Sequence, residues 1–270
     1  MTERSRFFAR FNRQIMLPEF GLEGQKKLQR AKVLLIGAGG LASSAAYYLT
    51  SAGIGKIGIA DDDTIEISNL NRQILHDFDQ IGKLKVNSAK QTLQKFNPSI
   101  DIEPYPKKVT SSKNLIKIVK GYDVIIDCSD NYPTRFTINE ACIAAKKPWI
   151  HGAVSGFEGQ AMTIIPGKGP CYTCLYPSPS LPTDGDQSPG VVGVSSGIIG
   201  IVQATEAIKY ILGKGNLLVG RLLFVDLLEM TVSGFIVHRN PDCPACANPA
   251  RRNSVDSGVR MRDCAGSETS

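Results

Sequence analysis

The sequence lacks the features that mark membrane-spanning and secreted proteins. Its 270 residues contain no uninterrupted apolar run long enough to cross a bilayer. The opening residues, MTERSRFFARFNRQ, have no apolar core of the kind that a signal peptide needs. We therefore expect a cytoplasmic protein with no membrane contact. In that compartment its seven cysteines indicate metal binding or thiol chemistry before disulfides.

The sequence also lacks several motifs, and their absence excludes some classes of enzyme and binding protein. No G-x-x-x-x-G-K-[ST] sequence occurs, which argues against a P-loop nucleotide hydrolase. The three histidines are scattered along the chain and form no motif. The net charge of +6 is not gathered into one basic block. We interpret the arginines near both ends as solvated charges and expect no nucleic-acid partner, with attraction to a polyanion as the alternative.

The strongest pattern that is present is a strand–turn–helix–strand unit at residues 32–63. Apolar residues 33–36 predict a buried strand, residues 43–52 a helix, and residues 56–60 a second strand. The turn after the first strand carries the G-x-G-x-x-[G/A] fingerprint, with Ala42 in its last position. A βαβ unit with this fingerprint is typical of nucleotide-binding domains.

Each residue of the fingerprint has a physical role in that interpretation. Gly37 permits a tight turn, and Gly39 and Gly40 let the backbone approach a phosphate at the positive N-terminus of the helix. Asp61 and Asp63 end the second strand, and an acid at this place can accept hydrogen bonds from a ribose. The unit therefore predicts a nucleotide site. The alternative is a glycine turn that only packs the helix against the strand.

The remainder of the chain predicts one α/β sheet in which parallel strands are followed by antiparallel strands. Strands at 101–106, 122–127 and 148–151 alternate with helices at 82–96, 111–119 and 133–146. From residue 152 the pattern changes, with strands predicted at 160–165, 222–226 and 233–237. Between them lies a glycine-interrupted, mostly apolar segment at 191–212, which we predict to be buried and helical at least in its second half. We predict a doubly wound, mainly parallel Rossmann-like sheet that is extended by antiparallel strands.

Separated cations and an acid indicate which nucleotide is bound. A dehydrogenase would explain the glycine turn, but not Arg13, Arg72 and Lys85, which we expect in the same crevice. Such cations suit a triphosphate, whose charge must be neutralised as it reacts. Lys85 begins a helix, where a nearby anion or plain solvation could explain its charge. Asp130 follows the strand at 122–127 and could hold Mg²⁺ or orient the attacking group.

Two C-x-x-C pairs form the second strong signal. The pairs are Cys171 with Cys174 and Cys243 with Cys246. Four thiolates complete a tetrahedral zinc site with no open position, so we predict a structural zinc ion. Two redox pairs are the alternative. Cys128 and Cys142 lie in apolar surroundings and are predicted core residues, and Cys264 lies in a polar tail.

These motifs and several others occur in the order of one known family. They are Asn12-Arg13-Gln14, the turn at 37–41, Asp61-x-Asp63, Ser68-Asn69-Leu70-x-Arg72-Gln73, Gly82-x-x-Lys85, Asp127-Cys128-Ser129-Asp130-Asn131, Gly159-Gln160 and the two cysteine knuckles. Over residues 8–248 the chain resembles the adenylyltransferases of ubiquitin-like sulfur-carrier proteins in molybdopterin and thiamine biosynthesis. These enzymes form the HesA/MoeB/ThiF family and are relatives of the ubiquitin-activating enzymes.

The resemblance implies a reaction. The enzyme would bind ATP and Mg²⁺ and adenylate the C-terminal carboxylate of a small carrier protein ending in Gly-Gly, with release of pyrophosphate. By this resemblance Asp61 would hold the ribose. Asn69, Arg72 and Lys85 would bind the phosphates, and Asp130 would act near Mg²⁺ and the reacting carboxylate.

The resemblance also implies an organisation. The family consists of homodimers in which Arg13 would reach the ATP of the other subunit. Residues 1–248 would form the adenylation domain, made of a helical arm (1–31), a nucleotide-binding core (32–151) and an antiparallel part with the four-cysteine zinc knuckle (152–248). Residues 249–270 are a predicted disordered tail.

The loop at 176–190 would cross the path of the carrier tail. Some relatives carry in that loop a cysteine that bonds to the carrier; none occurs here, which favours simple adenylation. Two other functions stay open. One is adenylation of a carboxylate on tRNA, and the other is a non-catalytic scaffold that binds nucleotide without turnover.

Overall fold

Eight strands form one sheet in the part of the chain that the structure, a computed structural model, describes: residues 3–109, 111–177 and 190–247. The strands are β1 (Lys32–Ile36), β2 (Lys56–Ala60), β3 (Asp101–Tyr105), β4 (Val124–Asp127), β5 (Trp149–Ser155), β6 (Glu158–Ile164), β7 (Arg221–Asp226) and β8 (Thr231–Ile236). Their spatial order is β3-β2-β1-β4-β5-β6-β7-β8. The crossover between β3 and β4 places the two halves of the parallel sheet on either side of β1.

Strand direction changes where the sequence pattern changes. The ladders that join β3, β2, β1, β4 and β5 are parallel, whereas those that join β5 to β6, β7 and β8 are antiparallel. Parallel strands need helical crossovers, and the antiparallel β5–β6 pair needs only the two-residue turn at Gly156. The predicted sheet, mainly parallel with antiparallel strands added at one side, is therefore confirmed.

The helices are α1 (Glu3–Ile15), α2 (Gly21–Arg30), α3 (Gly40–Ala52), α4 (Lys85–Phe96), α5 (Ser112–Val119), α6 (Tyr132–Ala145), α7 (Tyr172–Leu175) and α8 (Gly193–Leu212). The predicted α4 is confirmed to within its first turn. Three differences have local reasons. Helix α3 begins at Gly40 because the glycine turn itself supplies its N-cap, and α8 is helical throughout although glycines interrupt its sequence. The short α7 was not predicted, because four residues carry no helical period.

The two faces of the sheet carry separate cores. On one face, helices α2, α3, α4 and α8 pack over residues such as Leu35, Ile57 and Ile126. On the other face, α5, α6 and the cysteine region pack over Leu34, Ile125 and Trp149. The central strands β1 and β4 are buried on both faces, which is why they read as continuous apolar runs.

Two predicted segments lie wholly or partly outside the described residues. The tail at 249–270 and residues 178–189 of the loop at 176–190 lie outside them.

No helix within the described residues has the length and apolar character needed to span a membrane. The predicted core cysteines Cys128 and Cys142 are buried, as expected.

Candidate active site

A cavity of about 1060 Å³ opens at the carboxyl ends of the parallel strands. Its walls include the glycine turn after β1, the acids after β2, the lysines after β3 and the polar turn after β4. Its lining residues include Gly37, Gly39, Gly40, Asp61, Asp63, Arg72, Gln73, Lys85, Lys107, Lys108, Ser129, Asp130, Asn131, Arg135, Gln160, Tyr176 and Phe224. Ligands of open α/β sheets bind at this edge, where neighbouring crossovers run to opposite faces.

Within the glycine turn, the fold requires glycine at positions 37 and 40 but not at position 39. Gly37 has a φ of +103°, and a Cβ there would lie 2.5 Å from the carbonyl oxygen of Cys128. A Cβ on Gly40 would lie 2.7 Å from Ser196 Oγ. At Gly39 the nearest atom to such a Cβ would be Gln73 Nε2, at 3.7 Å. Gly39 therefore leaves open space in the cavity wall beside the N-terminus of α3, where a phosphate group is favoured.

Asp61 ties the end of β2 to the glycine turn. Its Oδ2 accepts a hydrogen bond from the Ala38 amide at 2.7 Å, and its Oδ1 accepts one from the Asp63 amide at 2.8 Å. Burial raises the pKa of the Asp61 carboxyl, although these two backbone hydrogen bonds act in the opposite direction. Each carboxylate oxygen has a second lone pair, so Asp61 can also accept hydrogen bonds from ribose hydroxyls.

Lys85 is buried at the first residue of α4, and its Nζ lies 2.8 Å from Asp63 Oδ2. The Asp63 carboxylate is therefore an anion close to Lys85, which agrees with the prediction of a nearby anion. The alternative, a lysine that is simply solvated, is wrong because the side chain is buried. Because Asp63 is largely exposed, an incoming phosphate can compete with it for the Lys85 ammonium.

Arg72 and Asn69 follow β2 in a segment that contains the 3₁₀ turn Ile67–Asn69. Arg72 lines the cavity, and its Nη1 donates to the carbonyl of Ser68 at 3.0 Å and to Asn71 Oδ1 at 2.9 Å. Asn69 is buried, and its Oδ1 accepts from the Glu66 amide at 3.1 Å in a capping box. Asn69 does not line the cavity, and in this geometry it supports the turn that presents Arg72.

Asp130 is exposed at the cavity wall, one residue before the N-cap of α6. Asn131 caps the helix through a 2.9 Å hydrogen bond from the Thr134 amide to its Oδ1, and its Nδ2 donates to Asp130 Oδ1 at 3.1 Å. The Asp130 carboxylate therefore has one oxygen held and the other available to a cation or a polar substrate group.

Arg13 does not line this cavity. It is exposed in the last turn of α1, and the adjacent Gln14 donates to the carbonyl of Ala52 at 2.8 Å. Ala52 ends α3, whereas the cavity adjoins the start of that helix, about 20 Å away at 1.5 Å per residue. Sequence reasoning that placed Arg13 in the same crevice as Arg72 and Lys85 does not hold within one chain.

Sequence reasoning gave no role to several side chains that line the cavity. Lys107 and Lys108 are exposed and follow β3 after Pro106, so the rule that ligands bind at strand ends predicts them as candidates. Gln73 is buried beside Gly39, and its Oε1 has no hydrogen-bond partner among the described residues. Gln73 belongs to the motif at 68–73, but nothing in the sequence indicates that it is buried.

Arg135 is also a cavity residue that the sequence did not signal. Its guanidinium is buried, and its Nη2 donates to the carbonyl of Ser129 at 3.0 Å. Its Nε lies 3.7 Å from Asp127 Oδ2, within ion-pair range but too far for a hydrogen bond. A lone arginine inside a helix has no sequence feature that distinguishes it from a surface charge.

The four predicted metal ligands do come together. Sγ of Cys171 lies 3.6 Å from that of Cys243 and 3.9 Å from that of Cys174, and Sγ of Cys174 lies 3.5 Å from that of Cys246. A tetrahedron with zinc–sulfur bonds of ~2.3 Å has sulfurs about 3.8 Å apart, so the cluster fits Zn²⁺. The Asn240 amide donates to Cys174 Sγ at 3.4 Å, the kind of outer hydrogen bond that steadies a thiolate ligand.

The sheet and the cavity together define a nucleotide-binding α/β protein with a separate four-cysteine cluster. The ThiF family matches residues 11–245, which is most of the chain, and the chain therefore belongs to the ThiF family. The resemblance drawn from the motifs is confirmed by this match.

Several relatives have named activities. The chain is 41% identical to a sulfur carrier protein adenylyltransferase of Thermus thermophilus, with 92% of this chain and 94% of the relative covered. It is 44% identical to a SAMP-activating enzyme E1 of Haloferax volcanii, with 88% of each covered. It is 42% identical to an adenylyltransferase and sulfurtransferase MOCS3 of Culex quinquefasciatus over 92% of this chain and 57% of that relative.

Solved structures confirm the fold. A crystal structure of E. coli MccB with ATP has a TM-score of 0.75 at 23% identity, over 92% of this chain and 82% of that one. The microcin C7 biosynthetic enzyme MccB in complex with N-formylated MccA has a TM-score of 0.79 at 24% identity, over 91% and 75%. At such identities the likeness concerns the fold alone.

Proposed function

We propose that this protein adenylates the C-terminal glycine carboxylate of a small ubiquitin-like sulfur-carrier protein, using ATP and releasing pyrophosphate. The chain is an adenylyltransferase of the ThiF family, as its relatives at 41–44% identity are. The observation that supports the detailed reaction is one cavity that gathers the open glycine turn, Asp61, Arg72, Lys85 and Asp130.

The positions of these groups in the cavity support a direction for ATP. Asp61 would accept hydrogen bonds from the ribose at the end of β2, while the triphosphate would lie along the N-terminus of α3. Arg72 and Lys85 would donate to phosphate oxygens and would stabilise the charge that develops on pyrophosphate as it leaves. Asp63 would release the Lys85 ammonium as the phosphates arrive.

The reacting carboxylate would approach from the side of Asp130. Its oxygen would attack the α-phosphorus in line, and the bond from that phosphorus to pyrophosphate would break, leaving an acyl adenylate. Asp130 and Asn131 supply oxygen atoms of the kind that Mg²⁺ prefers, and a bound Mg²⁺ would neutralise phosphate charge. Asp130 would also keep the attacking carboxylate oriented.

An exposed apolar surface next to the cavity supports a protein substrate. Phe224 lines the cavity, and its ring packs at 6.4 Å against that of Phe235 on β8. All residues of β8 are exposed, and they include Val232 and Ile236. Exposed apolar patches of this kind mark protein interaction sites. A small folded carrier could dock there with its C-terminal segment in the cavity.

The oligomeric state and the biosynthetic pathway are proposed from the family resemblance. We propose a homodimer in which Arg13 of one subunit completes the triphosphate site of the other, because Arg13 is exposed and remote from the cavity of its own chain. Ile67, Ile74 and Phe78 are 62–68% exposed beside the Arg72 segment and could be covered in such a dimer. We further propose that the adenylate primes the carrier for sulfur transfer in molybdopterin or thiamine biosynthesis, in the cytoplasm.

Zinc would have a structural role. The cysteine cluster joins the segment that contains α7 to the segment after β8, two parts of the chain about 70 residues apart. Four thiolate ligands leave no position for a substrate, so we expect the ion to stabilise the fold and to take no part in adenylation.

Exchange of labelled pyrophosphate into ATP, measured with a small protein that ends in Gly-Gly, tests the function. We expect exchange that requires the terminal glycine, and a loss of more than about 100-fold in Arg72→Ala and Asp130→Ala. Arg30→Ala and Asp79→Ala, which change exposed residues outside the cavity, are the matched controls. Full exchange in either cavity variant would contradict the assignments. Exchange driven by tRNA in place of the carrier would favour the tRNA alternative, and no exchange with any acceptor would favour the scaffold.

A further inference from the structure

Asp127, the last residue of β4, forms hydrogen bonds that hold the turn carrying Asp130. Asp127 is fully buried, and its Oδ1 accepts hydrogen bonds from the Ser129 amide at 3.0 Å and from Ser129 Oγ at 2.5 Å. Its backbone carbonyl accepts a 2.6 Å hydrogen bond from Gln203 Nε2. The direction of the Asp130 side chain therefore depends on how firmly the Asp127 carboxylate is fixed.

The second oxygen of Asp127 is held by His151 on the neighbouring strand. The parallel register pairs Ile126 with Ile150, which places Asp127 and His151 side by side. His151 is fully buried, with its Nδ1 3.0 Å from Asp127 Oδ2. A carboxylate only accepts hydrogen bonds, so Nδ1 carries the proton and donates it, and Nε2 of the neutral ring is an acceptor. Burial lowers the pKa of His151, which keeps the ring neutral.

The acceptor nitrogen faces the antiparallel side of the sheet. Gln160 Nε2 lies 3.3 Å from His151 Nε2 and donates to the Tyr176 hydroxyl at 2.6 Å. An amide nitrogen has two hydrogens, so one Gln160 side chain can serve both partners. Gln160 and Tyr176 line the cavity, and the Tyr172 ring packs against His151 with 5.0 Å between centroids. One imidazole thus links residues on β4 and β6.

We propose that His151 is a positioning residue for adenylation: it joins Asp127, under the turn that carries Asp130, to the Gln160–Tyr176 pair on the next wall of the cavity. This inference rests on the proposed function, because it assigns Asp130 to the reacting carboxylate. In-line attack requires that the carboxylate and the phosphate be held within a fraction of an ångström. A buried network with every member hydrogen-bonded provides that rigidity. An apolar side chain of similar volume would fill the space but would leave Asp127 Oδ2 without a hydrogen bond, because the Arg135 Nε, at 3.7 Å, lies beyond hydrogen-bonding distance.

Two substitutions in the full chain separate positioning from plain packing. His151→Leu removes both hydrogen bonds, whereas the amide nitrogen of His151→Asn can replace Nδ1 as the donor to Asp127. We expect His151→Leu to lower kcat for carrier-dependent exchange by about 10- to 100-fold and to change KM for ATP by less than about 3-fold. KM should hold because His151 contacts neither the glycine turn nor Asp61. His151→Asn should recover at least half of the wild-type kcat.

The outcomes distinguish this inference from the proposed function. Wild-type exchange together with an unchanged kcat in His151→Leu, or an equal loss in His151→Leu and His151→Asn, would overturn the inference and leave the function standing. No exchange by the unmodified chain would overturn both. If His151→Leu shows no cooperative unfolding, Gln160→Leu replaces it, since it removes the donor to His151 Nε2 and leaves the hydrogen bonds from Ser129 to Asp127 in place. A wild-type kcat in that variant would overturn the inference, and a several-fold lower kcat at constant KM would support it.

Discussion

Lys85 and Asp63 both line the cavity and form an ion pair, with 2.8 Å between Nζ and Oδ2. The lysine begins α4 and the acid lies just after β2, so the pair connects two elements whose ends meet at the same edge of the sheet. A buried ammonium that is already held close to the cavity loses little side-chain freedom when it binds a phosphate.

Replacing this lysine should therefore affect the reaction more than the fold. We expect Lys85→Ala to lower carrier-dependent exchange by about 100- to 1000-fold, the loss that follows removal of one preorganised donor at a developing charge. Lys83→Ala, which changes an exposed lysine outside the cavity, should keep full activity. Steady-state exchange assays on both variants check the prediction, and similar losses in the two would contradict it.

The glycine turn predicts two different effects for the same substitution. Gly37→Ala forces a residue with a φ of +103° against the Cys128 carbonyl, and it should lower the free energy of unfolding by at least about 1–3 kcal/mol. Gly39→Ala meets no atom closer than 3.7 Å, so it should keep that free energy and raise KM for ATP by filling cavity space. Urea unfolding and ATP titration separate the two effects, and equal destabilisation by Gly37→Ala and Gly39→Ala would contradict the prediction.

The four-cysteine cluster predicts bound metal. Elemental analysis of the purified chain should give about one zinc per chain, and Cys243→Ser should remove most of it. For each kcal/mol that the ion contributes to stability, Tm should fall by roughly 2–4 °C on its loss. Cys142→Ala, at a buried cysteine outside the cluster, should keep the zinc. Protein free of metal, with its thiols oxidised in pairs, would instead favour the redox interpretation.

The proposed exchange of Arg13 between subunits predicts complementation. Arg13→Ala and Arg72→Ala should each be inactive alone. A mixed dimer of the two has one intact site, made from Arg72 of the first subunit and Arg13 of the second. Statistical mixing after co-expression should therefore restore about a quarter of the wild-type exchange activity. Activity that stays at the level of the separate variants would show that Arg13 does not act across a dimer.

The buried histidines predict that stability depends on pH. Burial lowers the pKa of both His76 and His151, so each stays neutral in the fold at a pH where the unfolded chain is protonated. The unfolded state then binds more protons below a pH of about 6.5, and stability falls as the pH drops from there, by up to about 1.4 kcal/mol per pH unit for each histidine. Urea unfolding between pH 7.5 and 5.5 should show this loss. His76→Gln should reduce it, and an unchanged slope in that variant would contradict the assignment.

Much of the fold could be predicted because its signals are local. The apolar runs at β1, β2 and β4 are short and continuous, which is the pattern of strands covered on both faces. The glycine turn and the alternation of strands with helices then allow few topologies besides a parallel sheet with right-handed crossover connections. The positions of Asp61 and Asp130 at strand ends followed from the same pattern. Helix α7 and the 3₁₀ turn at Phe78–Gln80 were missed because so few residues carry no period.

What the sequence by itself determined is which segments become strands and helices and which side chains stand at the carboxyl edge of the sheet. Only the tertiary structure decided which of them meet. It paired Lys85 with Asp63, brought Cys171 to Cys243, buried Arg135 beside Asp127 and removed Arg13 from the cavity of its own chain. The physical reason is that periodicity specifies the face on which a residue lies, whereas its partner depends on strand order and helix packing, which bring together residues far apart in the chain.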